Sequence, residues 1–89
     1  MNTRYYDSLI EALLSLEAKS DMKSFLDGIL TPKEREEIPV RLQIVKMLKK
    51  GVSQHEIVSK LGVGVATVTR GSKEIAKGNF SHISPSGWR

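Results

Sequence analysis

The chain has 89 residues, a formal net charge of +4 and no cysteine. A monomer of this length buries only about 60–65% of the surface that its unfolded chain exposes, and without cysteine it holds neither disulfides nor thiolate metal sites. No apolar run approaches the roughly 20 residues of a membrane-spanning helix, and the first residues, MNTRYYDS, lack the apolar core of a signal peptide. We therefore expect a single cytoplasmic domain with no membrane partner.

Charge is unevenly distributed along the chain. Residues 1–40 carry five Lys/Arg against eight Asp/Glu, a net of −3, whereas residues 41–78 carry eight against two, a net of +6. A basic half joined to an acidic half is typical of a module that meets phosphate groups with one end. The alternative is a mixed, solvated surface without a partner.

The first predicted helix spans residues 5–18, with Thr3 or Asp7 near its start. Its apolar residues cover more of the circumference than a simple amphipathic stripe, which indicates burial on two sides. In so short a chain, a second copy of the protein is the simplest way to cover the other side. The apolar residues are Tyr5, Tyr6, Leu9, Ile10, Leu13, Leu14 and Leu16.

The second predicted helix begins after Asp21, a good N-cap residue, and runs to about Ile29. Its apolar residues share one face and are expected in the core rather than at a cofactor; they are Met22, Phe25, Leu26 and Ile29. We assign residues 1–30 to dimerisation.

The third predicted helix is a scaffold within residues 31–51. Thr31 is its predicted N-cap, and Pro32 occupies the first position, where the missing N–H is not needed. Pro39 is expected to kink or divide this helix. Two lysines end it before Gly51, either complementing the helix dipole or contacting phosphate.

Residues 52–78 indicate a helix-turn-helix. Ser53 is a predicted N-cap, and Glu56, three residues later, completes a capping box. The sequence LGVG at residues 61–64 then breaks the helical pattern, since glycine tolerates a left-handed turn. A second run follows with a hydroxyl-rich polar face. Its VGVATVTR segment also alternates well enough for a strand, which is the alternative.

The tail, residues 79–89, is rich in Ser, Pro and Gly and is predicted to be irregular. Phe80, Ile83 and Trp88 are the residues expected to hold it on the body of the domain.

Nothing in the sequence favours an enzyme. His55 and His82 are not accompanied by cysteines or clustered carboxylates at metal-binding spacing, so we expect no zinc site. No serine lies in a G-x-S-x-G setting. GVGVATVTRG follows a helix rather than a strand and lacks the Lys-Ser/Thr ending, which argues against a phosphate-binding loop.

Four motifs occur in one order: LTPKERE (residues 30–36), RLQIVKMLKKG (41–51), SQHEI (53–57) and LGVGVATVTRGS (61–72). Together they resemble the tryptophan (Trp) repressor family. The resemblance implies an all-α fold of about five short helices with a C-terminal helix-turn-helix, in an intertwined homodimer. It also implies a repressor that binds operator DNA with L-tryptophan as corepressor and controls genes of tryptophan biosynthesis or uptake.

The resemblance assigns the L-tryptophan site to six positions, which are Leu30, Thr31, Arg41, Thr67, Arg70 and Gly71. Arg41 and Arg70 would flank the indole, where a guanidinium stacks favourably on an aromatic face. Arg70 would also pair with the ligand carboxylate, joined by Thr31, and backbone carbonyls near Leu30 would receive the ammonium group. Glycine at 71 would leave space for the ligand.

Each arginine also has a simpler interpretation. Arg41 would form a surface ion pair with Glu37, and Arg70 would contact a DNA phosphate.

The resemblance likewise assigns DNA contacts to seven positions, which are Gln54, His55, Val65, Ala66, Thr67, Thr69 and Lys73. Three departures stand out. The family more often has Arg where His55 stands and Lys where Val58 stands, and it normally adds another helix after the recognition helix. The turn at residues 51–53 is also one residue shorter than in the best-known members. We therefore expect an altered operator, or a paralogue that controls a different set of genes, with the fold retained.

Two other functions stay open. One is a Trp repressor-like regulator with a different effector, such as another indole, or with none; its DNA binding would ignore tryptophan. The other is a helical interaction module whose basic end meets an acidic partner, without the steep salt dependence of DNA binding.

Overall fold

The computed structural model describes residues 2–85 and is all-helical over that range. The five helices are α1 (Thr3–Ser15), α2 (Lys19–Ile29), α3 (Pro32–Lys49), α4 (Gln54–Leu61) and α5 (Val65–Ala76). This confirms the predicted all-α class with about five helices. It also excludes a strand for VGVATVTR, which lies in the turn and in α5. None of the described helices has the length and apolarity needed to span a membrane.

The chain divides between Arg35 and Glu36 into two compact units. In the first unit α1 begins at Thr3, one of the two residues expected near its start, whereas the predicted N-cap of α2 was wrong. The Asn2 side chain accepts the Arg4 backbone N–H at 2.9 Å and so starts α1 earlier than expected, and α1 ends at Ser15. Ala18 occupies the N-cap of α2, which places Asp21 in the first turn, where its carboxylate favours the helix dipole instead of capping.

α1 and α2 contain no buried residue in the single chain, as far as residues 2–85 show. The apolar side chains of α1 are among the most exposed, with Tyr5 at 76% and Leu14 at 78%. A soluble monomer rarely leaves so large an apolar face uncovered.

α3 begins with a complete capping box. The Thr31 hydroxyl accepts the Glu34 N–H at 3.2 Å, and the Glu34 carboxylate accepts the Thr31 N–H at 2.8 Å. Pro32 occupies the first helical position as predicted. Pro39 does not divide the helix, which runs unbroken to Lys49. Apolar residues after the proline pack into the core and offset the lost backbone hydrogen bond.

The second unit holds the core. Ile44 and Met47 from α3, Ile57 from α4 and Val68 from α5 are each at most 1% exposed and form one cluster. Burying each of these side chains contributes roughly 1.5–3 kcal/mol. The helix-turn-helix is therefore fixed on the C-terminal half of α3.

Local signals in the sequence position α4 and α5. The Ser53 hydroxyl accepts the Glu56 N–H at 3.2 Å and starts α4 as predicted. Gly62 ends α4 with φ of 64°, the left-handed conformation that glycine adopts most easily. The turn between the two helices therefore lies where the sequence indicated.

Candidate functional site

A cavity of about 330 Å³ lies in the second unit, between α3, α5 and the chain that follows α5. Its lining residues are Arg41, Ile44, Val45, Ala66, Thr67, Arg70, Gly71, Glu74 and Phe80. Both arginines that the sequence singled out are included, although they come from different helices. Four of the six positions predicted for L-tryptophan thus share one cavity. Leu30 and Thr31 belong to the first unit, and their part in the site stays a prediction.

A neighbouring depression of about 450 Å³ shares Arg41 and Thr67 with this cavity but not Arg70. Its lining includes Glu36 and Glu37 from α3. Two carboxylates in place of the second guanidinium suit a carboxylate-bearing ligand poorly. The cavity that holds both arginines is therefore the better candidate site.

Arg41 makes the ion pair that was its simpler interpretation. Its Nη2 lies 3.6 Å from Oε2 of Glu37, one turn earlier in α3, and both side chains are substantially exposed. An exposed pair of this kind contributes only about 0–1 kcal/mol. The Arg41 guanidinium would therefore lose little free energy if it left Glu37 for a ligand in the cavity.

Gly71 lines the cavity and also sets the distance between two helices. A Cβ atom at this position would lie 3.1 Å from Cγ2 of Ile44 and 3.5 Å from Cδ1 of Leu48. The absence of a side chain thus allows α5 to pack closely on α3. From the sequence, glycine at position 71 was expected to leave space for a ligand. The structure adds a second reason, which is the close packing of α5 on α3.

Glu74 is a cavity residue that the sequence analysis did not select. Its carboxylate accepts hydrogen bonds from Nδ2 of Asn79 at 2.6 Å and from Nζ of Lys77 at 3.2 Å. These two bonds are the main reason why the pKa of Glu74 lies below its ordinary value. Its spacing of four residues from Arg70 was the signal available, because residues i and i+4 share a helix face.

Phe80 is another cavity residue that was not predicted for the site, and it reaches the cavity because the chain folds back after α5. Nζ of Lys49, on α3, donates to the backbone carbonyls of Phe80 and Ile83, the latter at 2.7 Å. Phe80 and Ile83 therefore hold the tail, as predicted, although through backbone oxygens. Trp88, the third residue named for this role, lies outside the described residues.

Most residues predicted to contact DNA share one exposed surface at the start of α4 and α5. Gln54, His55, Val65, Ala66 and Thr67 are exposed, and Thr69 is half-buried. The Thr69 hydroxyl donates to Oε1 of Gln54 at 3.4 Å, which links the two helices. Lys73, also exposed, lies two turns farther along α5.

Two of the departures from the family pattern, His55 and Val58, fall on this surface. His55 and Val58 line a shallow depression of about 230 Å³ together with Gln54 and Val65. No cationic group of Lys or Arg belongs to that lining. The surface thus offers apolar contact where the family more often carries charge.

Among residues 2–85, no group of three or more His, Cys, Asp or Glu side chains is arranged to hold a metal ion.

Comparison with known proteins identifies the family. The pattern of the family described as "Trp repressor protein" matches residues 4–84. A "Trp operon repressor homolog" of Vibrio parahaemolyticus is 38% identical over 73 residues, which are 81% of this chain and 71% of the relative. A homolog of the same name from Actinobacillus succinogenes is 40% identical over 80% of this chain and 71% of its own length. Another from Xylella fastidiosa is 36% identical over 84% of this chain and 83% of its own length.

No solved structure gives a significant match. The family pattern nevertheless spans all five helices and the first part of the tail. The predicted family and the prediction that the chain is not an enzyme are both confirmed. The chain belongs to the Trp repressor family of DNA-binding transcriptional regulators.

Proposed function

We propose that this protein represses transcription by binding operator DNA as a homodimer, with L-tryptophan as its corepressor. The genes it controls would serve tryptophan biosynthesis or uptake, and the protein would act in the cytoplasm on the nucleoid. The observation that carries the proposal is the cavity lined by both Arg41 and Arg70. Arg41 comes from α3 and Arg70 from the second helix of the helix-turn-helix, so a ligand in the cavity would contact the DNA-binding element directly.

The cavity has the chemistry that an aromatic amino acid requires. Ile44 and Val45 give it an apolar wall for the indole ring. Guanidinium groups stack on aromatic faces, worth about 0.5–2 kcal/mol each depending on burial. Arg70 would also bind the ligand carboxylate, and Glu74 brings a negative charge to the same cavity for the ammonium group.

The remaining ligand contacts follow from the family resemblance. Thr67 and Gly71 would form the wall of the cavity contributed by α5. The Thr31 hydroxyl would join Arg70 at the carboxylate, and the backbone carbonyl of Leu30 would accept from the ammonium group.

Coupling between ligand and DNA would run through α5. Four residues of α5 line the cavity, which are Ala66, Thr67, Arg70 and Gly71. Val65 and Ala66, the first two residues of the same helix, would enter the major groove. A ligand wedged between α3 and α5 favours one orientation of α5, and its differential affinity for that orientation becomes affinity for the operator. Tryptophan scarcity would then release repression.

The other DNA contacts divide by chemistry. Gln54, His55 and Thr69 would reach base edges or sugar–phosphate oxygens near the start of the recognition helix. Lys73 would contact phosphate and contribute to the salt dependence of binding.

The homodimer is supported by the exposed apolar face of α1. Tyr5, Tyr6, Ile10 and Leu14 are each at least 42% exposed in the single chain. A second copy would cover this face and would place two recognition helices on successive major grooves.

Calorimetric titration of the purified protein with L-tryptophan, without DNA, tests the proposal. Saturable binding of one ligand per chain is expected, and indole-3-propionate, which lacks the ammonium group, should bind more weakly. Equal or tighter binding of indole-3-propionate would contradict the proposed contacts of Glu74 and Leu30 with the ammonium group. Failure to bind millimolar L-tryptophan would exclude it as corepressor and leave a helix-turn-helix regulator with a different effector or none.

A further inference from the structure

We infer that the tail turn (residues 78–83) forms one wall of the ligand cavity, with Phe80 as an additional ligand-contacting residue and Lys49 as the residue that positions it. The inference rests on the proposed function, because it concerns the same cavity. It adds a binding wall from a segment where the resembled family normally has a further helix.

The tail turn has defined structure of its own. Gly78 reverses the chain after α5 with φ of 87°, a left-handed conformation that suits glycine. The Ser81 N–H then donates to the Gly78 carbonyl at 3.2 Å, and the Ile83 N–H donates to the Phe80 carbonyl at 3.1 Å. Successive turns of this kind fix the direction in which Phe80 points.

Two anchors hold the tail turn against the cavity. On α5, Glu74 accepts the Asn79 side-chain amide through its carboxylate and the Asn79 backbone N–H through its carbonyl, at 2.6 and 3.3 Å. On α3, the Lys49 ammonium donates to the carbonyls of Phe80 and Ile83. The tail turn is thereby tied to both helices that line the cavity.

Lys49 is well suited to this role. It is half-buried, more than 30 residues from its two acceptors in sequence, and it satisfies both of their carbonyls with one charged donor. Hydrogen bonds to a charged group are stronger than those between neutral groups. Its neighbour Lys50 is exposed and lies just after the end of the same helix, so it provides a matched control for the loss of one positive charge.

Phe80 completes an apolar surface that α3 begins. Its half-buried side chain lines the cavity with Ile44 and Val45, which lie on α3. An aromatic ring beside an indole adds an edge-to-face or offset contact and excludes water from the arginine–indole contacts. Removing the ring should therefore weaken L-tryptophan binding about two- to tenfold.

Calorimetric titration with L-tryptophan of the full chain and of five variants tests the inference. The variants are Phe80→Ala, Phe80→Leu, Lys49→Met, Lys50→Met and the double variant Lys49→Met/Phe80→Ala. Phe80→Ala and Lys49→Met should weaken binding, Phe80→Leu should weaken it less, and Lys50→Met should match the unaltered protein. Thermal unfolding of each variant sets a titration temperature at which all of them are folded.

The double variant separates positioning from a general structural effect. If Lys49 acts by holding Phe80 at the ligand, Lys49→Met should change affinity little once Phe80 is alanine. Fully additive losses would overturn the positioning role. If the unaltered protein and Phe80→Ala bind L-tryptophan equally well, the inference is overturned and the proposed function is not. If the unaltered protein does not bind L-tryptophan, the proposed function is overturned.

Discussion

Exchanging Arg70 or Lys73 for alanine should separate ligand binding from DNA binding. Both residues are exposed cations on α5, three positions apart, but only Arg70 lines the cavity. Arg70→Ala should therefore weaken L-tryptophan binding in the absence of DNA, whereas Lys73→Ala should leave it unchanged. The two substitutions remove the same charge, so a general electrostatic effect of α5 would act on both alike.

The size of the Arg70 effect follows from its two proposed contacts. Loss of guanidinium–indole stacking costs about 0.5–2 kcal/mol, and loss of a charge-assisted hydrogen bond to the carboxylate costs about 1.5–3 kcal/mol. Because Arg70 is exposed, we expect a total near the lower end, about 2–3 kcal/mol, which is a loss of affinity of roughly 30- to 150-fold. Folding should be little affected, since surface substitutions usually change stability by about 0.5 kcal/mol or less.

Calorimetry gives the ligand affinity, and fluorescence anisotropy with labelled operator at several salt concentrations gives the DNA affinity. Operator for this assay is obtained by selection from random DNA in the presence of L-tryptophan. Lys73→Ala should lower the slope of log affinity against log salt by about one phosphate contact per chain. Unchanged L-tryptophan affinity in Arg70→Ala would refute the assignment of the cavity as the corepressor site.

Ser53→Ala removes the oxygen that caps α4 and should lower the free energy of unfolding by about 1 kcal/mol in urea titrations; an unaltered midpoint would mean that the cap contributes nothing. Ile57→Ala should lower it by about 2–5 kcal/mol and Ile57→Val by about 0.5–1.5 kcal/mol, and equal losses would contradict a close-packed site. Val65 is 63% exposed at the start of the recognition helix, so we expect its side chain to contact a thymine methyl group in the major groove. Replacing that thymine with deoxyuridine, which lacks the methyl group, should weaken operator binding. If no thymine in the selected operator is sensitive to this change, Val65 makes no such contact. The hydrogen bond from Asn79 is the main reason why the pKa of Glu74 is lowered in the folded protein. The ionised carboxylate therefore stabilises the fold at neutral pH, and this stabilisation is lost as the pH falls through the folded-state pKa. The difference in thermal midpoint between the unaltered protein and Glu74→Gln should therefore shrink on acidification, and a constant difference would contradict this role.

Features set by a few neighbouring residues were predictable from the sequence. The cap at Ser53, the left-handed Gly62 and the start of α3 at Thr31 each depend on contacts within four residues. The N-caps of α1 and α2 were missed for different reasons. Asn2 is followed by other residues that can cap, such as Thr3, whereas Ala18 makes no side-chain capping bond and so gives no local signal. Pro39 was expected to kink or divide α3, and it does not divide the helix because packing of the residues beyond it outweighs the local preference.

The site divides in the same way. Arg41 and Arg70 were found through the family motifs, which carry information about contacts between distant parts of the chain. Phe80 reaches the cavity because the tail turn is held by Glu74 and by Lys49, and Lys49 is so far away in sequence that no periodic pattern reports its contact. Glu74 could have been predicted from the sequence, since it lies one helical turn after Arg70 on the same face of α5. Its role in the site could not, because that role depends on which residues of α3 and the tail turn lie opposite.

The measurement that tests the account most directly is the affinity for the selected operator with and without L-tryptophan, at one fixed salt concentration. If the ligand couples to DNA binding through α5, saturating L-tryptophan should tighten operator binding by about 5- to 150-fold, the usual range of coupling between two sites. At a ligand concentration that just saturates the unaltered protein, the operator affinity of Arg70→Ala should rise much less, because most of its sites would be empty. An operator affinity that is the same with and without L-tryptophan would contradict the account, even if the cavity binds the ligand.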